Sequence, residues 1–162
     1  MPYFIHGDLK FTETLAIHKY VADQWKPECL GKTAAEKAQV NMCSGVLLDI
    51  KMGTTMPCYM SGDVEKIKEC ITAKMPAIVA FLGDKKFLVG DYATYVDFYF
   101  FELLNTLNFY TEGKVYTDYP TLSTYHASVA DLPGLKEYLA DPNCMENTRT
   151  FNGKSAKLNN TV

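Results

Sequence analysis

In the first twenty-five residues, apolar positions are spaced first as in β-strands and then as in an α-helix. Apolar side chains alternate with other residues on both sides of a Gly7-Asp8 turn, which is typical of a two-stranded hairpin. The spacing then changes to that of a helix ending near Trp25. The alternating positions are Tyr3, Ile5, Leu9 and Phe11, and the helical ones are Ala16, Ile17, Tyr20 and Val21. Because a hairpin with one helix is marginally stable alone, we interpret this stretch as the end of a domain without its beginning.

A connector containing Pro and Gly follows at residues 26–32, and the chain after it has helical spacing. Thr33 with Glu36 three residues later predicts a capping box at the start of a long helix. Gly53 and Pro57 are expected to loosen or bend that helix towards its end.

Two further helix starts are marked by capping residues. Asp63 is expected to cap a second helix, which contains Pro76 and should therefore kink. Thr94 and Asp97 have capping-box spacing and open a stretch that is apolar on nearly every face from Val96 to Leu107. This stretch predicts a central buried helix, and we assign its cap to folding. Shorter helices should follow, and the polar chain from residue 142 onward is predicted to be irregular.

Composition narrows the class of protein. With 162 residues, 48% of them apolar, the chain can bury one sizeable core. A net charge of -3 with interspersed signs and no basic stripe argues against nucleic acid as the partner. No apolar run approaches the roughly 18 to 20 residues needed to cross a bilayer, and the N-terminus lacks the pattern of a secretion signal. We therefore predict a cytoplasmic protein, with association to an organellar or cytoskeletal assembly left open.

The cysteines and histidines do not have the spacing of a metal site. Five widely spaced cysteines form no C-x-x-C pair, so reduced thiols are expected in place of a disulfide framework or a zinc site. Three histidines have no H-x-x-x-H spacing, and we predict turn, surface or core positions for them. No metal and no resident cofactor are predicted. The histidines concerned are His6, His18 and His126.

Several blocks, in order along the chain, resemble the mu class of glutathione transferases. Besides the N-terminal turn they are Asp49-Ile50-Lys51-Met52 with Cys58-Tyr59, Phe81-Leu82-Gly83, residues 94–98, and Leu135-Lys136-Glu137-Tyr138. The resemblance implies a mainly α fold, an all-helical transferase C-terminal domain preceded by a β-β-α remnant of a thioredoxin-like domain. The implied parts are residues 1–25 for the glutathione-binding remnant, 26–32 for a linker, 33–150 for the helical domain and 151–162 for an irregular tail.

The resemblance also implies a glutathione site. Pro2 corresponds to the proline whose cis peptide presents backbone to the cysteinyl part of glutathione. Glu13 and Thr14 match the Gln-Ser turn whose helix start binds the γ-glutamyl carboxylate, through free amides and the positive end of the helix dipole. Glu13 replaces an amide by a carboxylate, which can face the ligand's ammonium group but would repel its carboxylate. Asp49 matches an acidic residue that reaches the neighbouring subunit's glutathione across a dimer.

A second-substrate site is implied at Lys51, Met52 and Tyr59, where the Tyr59 phenol can donate a hydrogen bond to a developing oxyanion. No catalytic residue is assigned beyond this candidate. Plain structural roles stay open: Asp49 and Lys51 as solvated helix charges, Met52 as core filler, Tyr59 as a helix-end aromatic and Thr14 as part of a helix cap.

Three functional hypotheses follow. In the family reaction, glutathione is conjugated to electrophiles as the thiolate, which is stabilised by a Tyr or Ser on the first strand of the thioredoxin-like domain. That strand has no counterpart in this sequence, so the first hypothesis is a truncated mu-like transferase, weakly active or inactive alone, with glutathione as ligand or substrate. The second is a non-catalytic structural or adaptor subunit of a larger assembly. The third is a start internal to a longer gene, which would make the protein an ordinary transferase.

Association is expected under the first two hypotheses. The hairpin edge and the long helix from Val46 to Met52 are the predicted contact surfaces of a homodimer or a hetero-complex.

Overall fold

The computed structural model describes residues 2–148 and 150–160, without the side chains of residues 147 and 148. It confirms a mainly α chain with one small sheet at its N-terminus. The elements are β1 (Tyr3–His6), β2 (Leu9–Thr12), α1 (Thr14–Trp25), a 3-10 turn (Pro27–Leu30), α2 (Ala34–Met60), α3 (Val64–Leu82), α4 (Tyr95–Tyr110), α5 (Lys114–Asp118), α6 (Pro120–Ala130), α7 (Leu135–Ala140) and α8 (Met145–Thr148).

The two strands pair antiparallel, and one face of the hairpin packs on α1. Phe4 pairs with Phe11, and the Tyr20 ring lies 5.9 Å from the first and 5.1 Å from the second, centroid to centroid. Because side chains alternate between faces, Tyr3 and Ile5 lie on the opposite face. They are 75% and 55% exposed, so that face is open to solvent.

The connector between α1 and α2 is held to the helical bundle by a polar and aromatic contact. The Lys32 ammonium lies 3.8 Å from the centroid of the Tyr92 ring. The Tyr92 hydroxyl donates to the Glu36 carboxylate at 3.0 Å. These contacts fix the approach of the chain to α2, a use of cation-π attraction that is common at protein surfaces.

The capping box predicted for α2 is confirmed. Glu36 N donates to the Thr33 hydroxyl, and Thr33 N donates to the Glu36 carboxylate. Further on, α2 stays helical through Gly53 and Pro57 to Met60. A Cβ built on Gly53 would lie 2.6 Å from Cys70 Sγ on α3, so the glycine permits a close helix contact. We infer that this packing compensates for the one hydrogen bond that Pro57 removes.

Helix α3 begins as expected, with Glu65 N donating to the Asp63 carboxylate at 3.0 Å. It remains helical through Pro76. One face packs against α2 and the central helix, and its buried residues are Ile67, Ile71, Met75, Ile78 and Leu82.

Helix α4 is the centre of the core, as its apolar sequence predicted. The Asp97 carboxylate at its start is fully buried and accepts four hydrogen bonds. The donors are Thr94 N at 2.7 Å, the Thr94 hydroxyl at 2.8 Å, Leu88 N at 2.8 Å and the Tyr125 hydroxyl at 2.8 Å. Burial, and after it the Asp97 charge, raise the pKa of Tyr125 well above its usual value, so the phenol stays a donor.

The C-terminal part contains more helix than the sequence indicated. Helix α8 lies in the stretch expected to be irregular. Its start is fixed by the buried side chain of Cys144 and by Met145 N, which donates to the Tyr138 hydroxyl at 2.9 Å. Helix α5 had no clear signal because it is a five-residue turn after the left-handed Gly113. Among the described residues, none of the helices combines the length and apolarity needed to span a bilayer.

Candidate functional site

The start of α1 is an unusual backbone turn. Glu13 is the N-cap, with φ of 78° and ψ of 118°, and its side chain makes no capping hydrogen bond. Positive φ is uncommon for a residue with a Cβ, and such strain clusters at functional sites. The first backbone bond of the helix runs from Ile17 N to Glu13 O at 2.9 Å, so the amides before Ile17 precede the intrahelical ladder. The turn therefore presents donors for an anion.

Both predicted side chains of this turn are exposed. Thr14 begins α1 and Glu13 precedes it, so the hydroxyl and the carboxylate lie beside the free amides. A carboxylate at a helix start interacts favourably with the helix dipole, and it opposes a second anion at the same place. Pro2 is exposed, but the peptide bond predicted to be cis involves Met1, which lies outside the described residues.

The three candidate residues of the middle of α2 have different surroundings. Asp49 is exposed, and within the described chain it has no ion-pair partner. Met52, three residues later and 48% exposed, shares its helix face. Lys51 Nζ lies 3.5 Å from Glu102 Oε1, with both side chains about a quarter exposed, and so links α2 to α4. A lysine with such a partner has a structural role whether or not it contacts a ligand.

Tyr59 is engaged by the C-terminal segment. Gly153 N donates to its phenol oxygen at 2.6 Å, and Lys157 N donates to the neighbouring Cys58 carbonyl at 2.7 Å. The phenol proton is left for a second hydrogen bond, since the oxygen only accepts from Gly153. The predicted donor role is compatible with this geometry, although the segment limits the directions from which a substrate can approach.

The segment itself was missed from sequence. Asn152 is 8% exposed and its amide donates to the Tyr110 hydroxyl at 3.0 Å. Asn159 closes the loop, donating from its side chain to Asn152 O and accepting from Asn152 N. The Asn152-Gly153 pair is a turn signal, but nothing in the local pattern indicates that the turn meets residues of α2 and α4.

Within the described residues, no hydrogen bond or ion pair joins the Glu13 turn to Asp49, Met52 or Tyr59. The two parts of the predicted site are thus separate groups in a single chain. The same residues hold no cluster of three or more metal-ligating side chains.

Comparison with known proteins defines the class. The profile of the glutathione S-transferase C-terminal domain matches residues 49–142, and the chain belongs to this family. Its relatives include mu-class enzymes: it is 32% identical over 143 residues to the class-mu 26 kDa isozyme 7 of Fasciola hepatica, covering 86% of this chain and 64% of that protein. The class-mu 26 kDa isozyme of Schistosoma mansoni gives the same figures. The chain thus spans less than two thirds of these relatives.

Solved structures show the same fold. The glutathione S-transferase Blo t 8 superimposes with a TM-score of 0.85 at 24% identity, covering 98% of this chain and 75% of that one. The Pi-class glutathione S-transferase of Onchocerca volvulus gives a TM-score of 0.82 at 21% identity, covering 96% of this chain and 76% of that one.

Proposed function

We propose that this chain is a mu-like glutathione transferase polypeptide that binds glutathione at the start of α1. The observation that carries the proposal is the strained, uncapped turn at Glu13, which leaves the first helix amides free beside the exposed Thr14. The γ-glutamyl carboxylate is the anion proposed for it. Family membership supports this choice of ligand.

The second substrate is proposed to lie along α2. Met52 offers an exposed apolar and polarizable surface, and the Tyr59 phenol keeps a proton to donate to charge that develops on an electrophile. Lys51 is proposed to act through its ion pair with Glu102, by fixing α2 against α4. Asp49, exposed on the outer side of α2, is proposed to reach the glutathione of a partner subunit.

The 162-residue chain by itself is proposed to conjugate slowly. The thiolate is the nucleophile, and no Tyr or Ser of this sequence occupies the first-strand position from which the family stabilises it. Loss of one well-placed transition-state donor typically lowers the rate on the order of 10² to 10³-fold. A reduced rate with measurable binding is therefore the expected behaviour.

Calorimetric titration of the chain with glutathione tests the proposal. Thr14→Ala should weaken binding roughly tenfold to 150-fold, the range expected for one hydrogen bond to a charged group. Thr72→Ala, an exposed threonine on α3, is the matched control and should leave the affinity unchanged. Binding that Thr14→Ala does not affect would place glutathione elsewhere. Conjugation of 1-chloro-2,4-dinitrobenzene at the rate of an intact transferase would contradict the proposed slow reaction.

A second function, as a structural or adaptor subunit, is favoured by one observation. The outer face of the hairpin leaves Tyr3 and Ile5 largely exposed beside strand edges that no other described strand covers. Such an edge can be extended by a strand of another chain. Self-association would favour the transferase, whereas a stable hetero-complex that covers the hairpin would favour the adaptor.

A further inference from the structure

A large cavity lies between α1 and α4, away from the residues proposed for glutathione. It measures about 520 Å³. Sites for small organic molecules have volumes of about 300 to 1,000 Å³ and are mostly apolar, with a few placed polar groups. The cavity has this size and, as its walls show, this composition.

The walls are aromatic and accessible. Trp25 and Val21 of α1 face Phe98 and Tyr99 of α4 across the cavity. Trp25 is 59% exposed, Phe98 40% and Val21 38%, which is high for large apolar side chains of a folded protein. Flat rings on both sides favour a flat partner, because aromatic pairs gain from stacked and edge-to-face contacts beyond the area they bury.

Two polar side chains of the cavity walls, His18 and Tyr99, are uncharged near neutral pH. Burial lowers the pKa of His18, against a smaller opposite effect of Glu102, so the imidazole is neutral. Burial raises the pKa of Tyr99 to about 12, with a further contribution from Glu102, so its phenol keeps its proton. The His18 ring lies edge-on to the Tyr99 ring at 5.4 Å. The Tyr99 hydroxyl has no hydrogen-bond partner among the described residues, which leaves it free to donate.

Charged groups line only part of the cavity. Glu102 is directed to Lys51 by their ion pair, and Lys26 lies at the end of α1. An anionic ligand would meet the Glu102 carboxylate, and a cationic one would meet Lys26. The charge pattern therefore favours a neutral ligand, since a buried charge without a partner is costly.

We propose that the cleft between α1 and α4 binds an uncharged, planar aromatic molecule whose hydrogen-bond acceptor faces the Tyr99 hydroxyl. Trp25 and Phe98 would cover the two faces of the ring system. None of the residues proposed to bind glutathione or the second substrate lines the cleft. The inference thus stands independently of the proposed transferase function.

Nile red, a neutral planar dye with a carbonyl acceptor, is a suitable probe. Titrated into the complete chain, it should bind saturably with one molecule per chain and shift its emission to shorter wavelength. Trp25 is the only tryptophan in the sequence, so its fluorescence reports occupancy of the cleft directly. Its emission should change with the same midpoint as that of the dye.

Matched variants locate the site. Val21→Glu puts a charge in the cleft and should weaken Nile red binding at least tenfold. Val64→Glu makes the same change at the start of α3, at a partly exposed valine, and should leave the affinity within twofold. Tyr99→Phe removes the proposed donor and should weaken binding about threefold or more. A melting curve for each variant establishes that it is folded.

Three results would overturn the proposal. The first is the absence of saturable binding below the solubility limit of the dye. The second is equal weakening by Val21→Glu and Val64→Glu, or a Trp25 signal that does not follow the dye, because either would place the dye on another apolar surface. The third is an affinity that falls as protein concentration rises, which would assign the cleft to contacts between copies of the chain. An unchanged affinity in Tyr99→Phe would refute the role of the hydroxyl.

Discussion

At the scale of single residues, two acidic side chains at helix starts have opposite roles. Asp97 is fully buried and its carboxylate is saturated by donors from three other residues. Glu13 is exposed, makes no capping bond and sits in a strained turn. The first side chain stabilises the fold, and the second leaves a helix start available to a ligand.

Replacement of Asp97 should be among the most destabilising single changes. Asp97→Ala leaves buried donors at Leu88 N, Thr94 N and the Tyr125 hydroxyl without an acceptor, which should cost about 3 to 5 kcal/mol. Urea denaturation measures the loss. Asp84→Ala, at an exposed position, should change stability by less than about 0.5 kcal/mol. Equal stability of the two variants would show that the Asp97 network does not hold α4.

Replacement of Glu13 tests the electrostatics of the proposed glutathione site. Glu13→Gln removes a negative charge beside the position proposed for the γ-glutamyl carboxylate, so glutathione affinity should rise severalfold at low salt. The gain should shrink at about 1 M salt, where the Debye length falls to about 3 Å. Calorimetry at two salt concentrations measures the change in glutathione affinity. Glu28→Gln, in the connector, is the control and should not change this affinity. An identical affinity for Glu13→Gln and the unmodified chain would place the ligand carboxylate elsewhere.

At the scale of elements, the helix caps were predictable and the contacts between distant segments were not. Cap signals are local, since Thr33 with Glu36 and Thr94 with Asp97 are three residues apart, and the structure contains both interactions. The position of the C-terminal segment depends on Tyr59 meeting Gly153, a pairing that hydrophobic periodicity does not encode. The cleft between α1 and α4 escaped prediction for the same reason.

One chain of contacts between elements should make stability depend on pH. His126 of α6 stacks on Phe101 at 4.2 Å, and its Nε2 lies 2.7 Å from Asn105 Oδ1. Asn105 in turn donates to Glu146 of α8 at 3.3 Å. Burial lowers the pKa of His126 despite the nearby Glu146 charge. The unfolded chain therefore binds more protons than the folded chain near and below the ordinary histidine pKa, and stability should fall as pH falls from 7 to 5.

Chemical denaturation at pH 7, 6 and 5 measures this dependence. His126→Gln should reduce it, because the glutamine does not titrate, and His18, whose pKa burial also lowers, should keep the remainder. His6→Gln, at an exposed histidine of the hairpin, should retain it. The same pH dependence in both variants would exclude His126 as its source.

At the scale of the whole molecule, the family fold was predictable because several sequence blocks agreed in order, and the domain profile confirmed it. The assembly could not be predicted in the same way, because the sequence of a single chain does not show what covers its exposed surfaces. Those surfaces include the outer hairpin face and exposed apolar side chains along α2, namely Met42, Val46, Leu48, Met52, Met56 and Met60.

We expect the chain to associate through the hairpin edge and the Val46 to Met52 face of α2. Ile5→Pro should weaken association by removing an amide at the free edge of β1, because Ile5 and Lys10 form a non-hydrogen-bonded pair, whereas the Phe4 amide points into the hairpin. Ile5→Leu keeps the amide and is the matched control. Light scattering at micromolar concentration measures the effect. A strictly monomeric chain that resists proteolysis throughout residues 2–25 would show that association is not required.

The contact between Gly153 and Tyr59 has an evolutionary consequence. A Cβ at position 153 would lie 3.1 Å from the phenol oxygen, closer than most side-chain contacts allow. A larger residue at 153 therefore requires the segment or the Tyr59 side chain to shift by a few tenths of an ångström. Homologues of this chain should accordingly show the two positions changing together, although Tyr59 and Gly153 are 94 positions apart in the sequence.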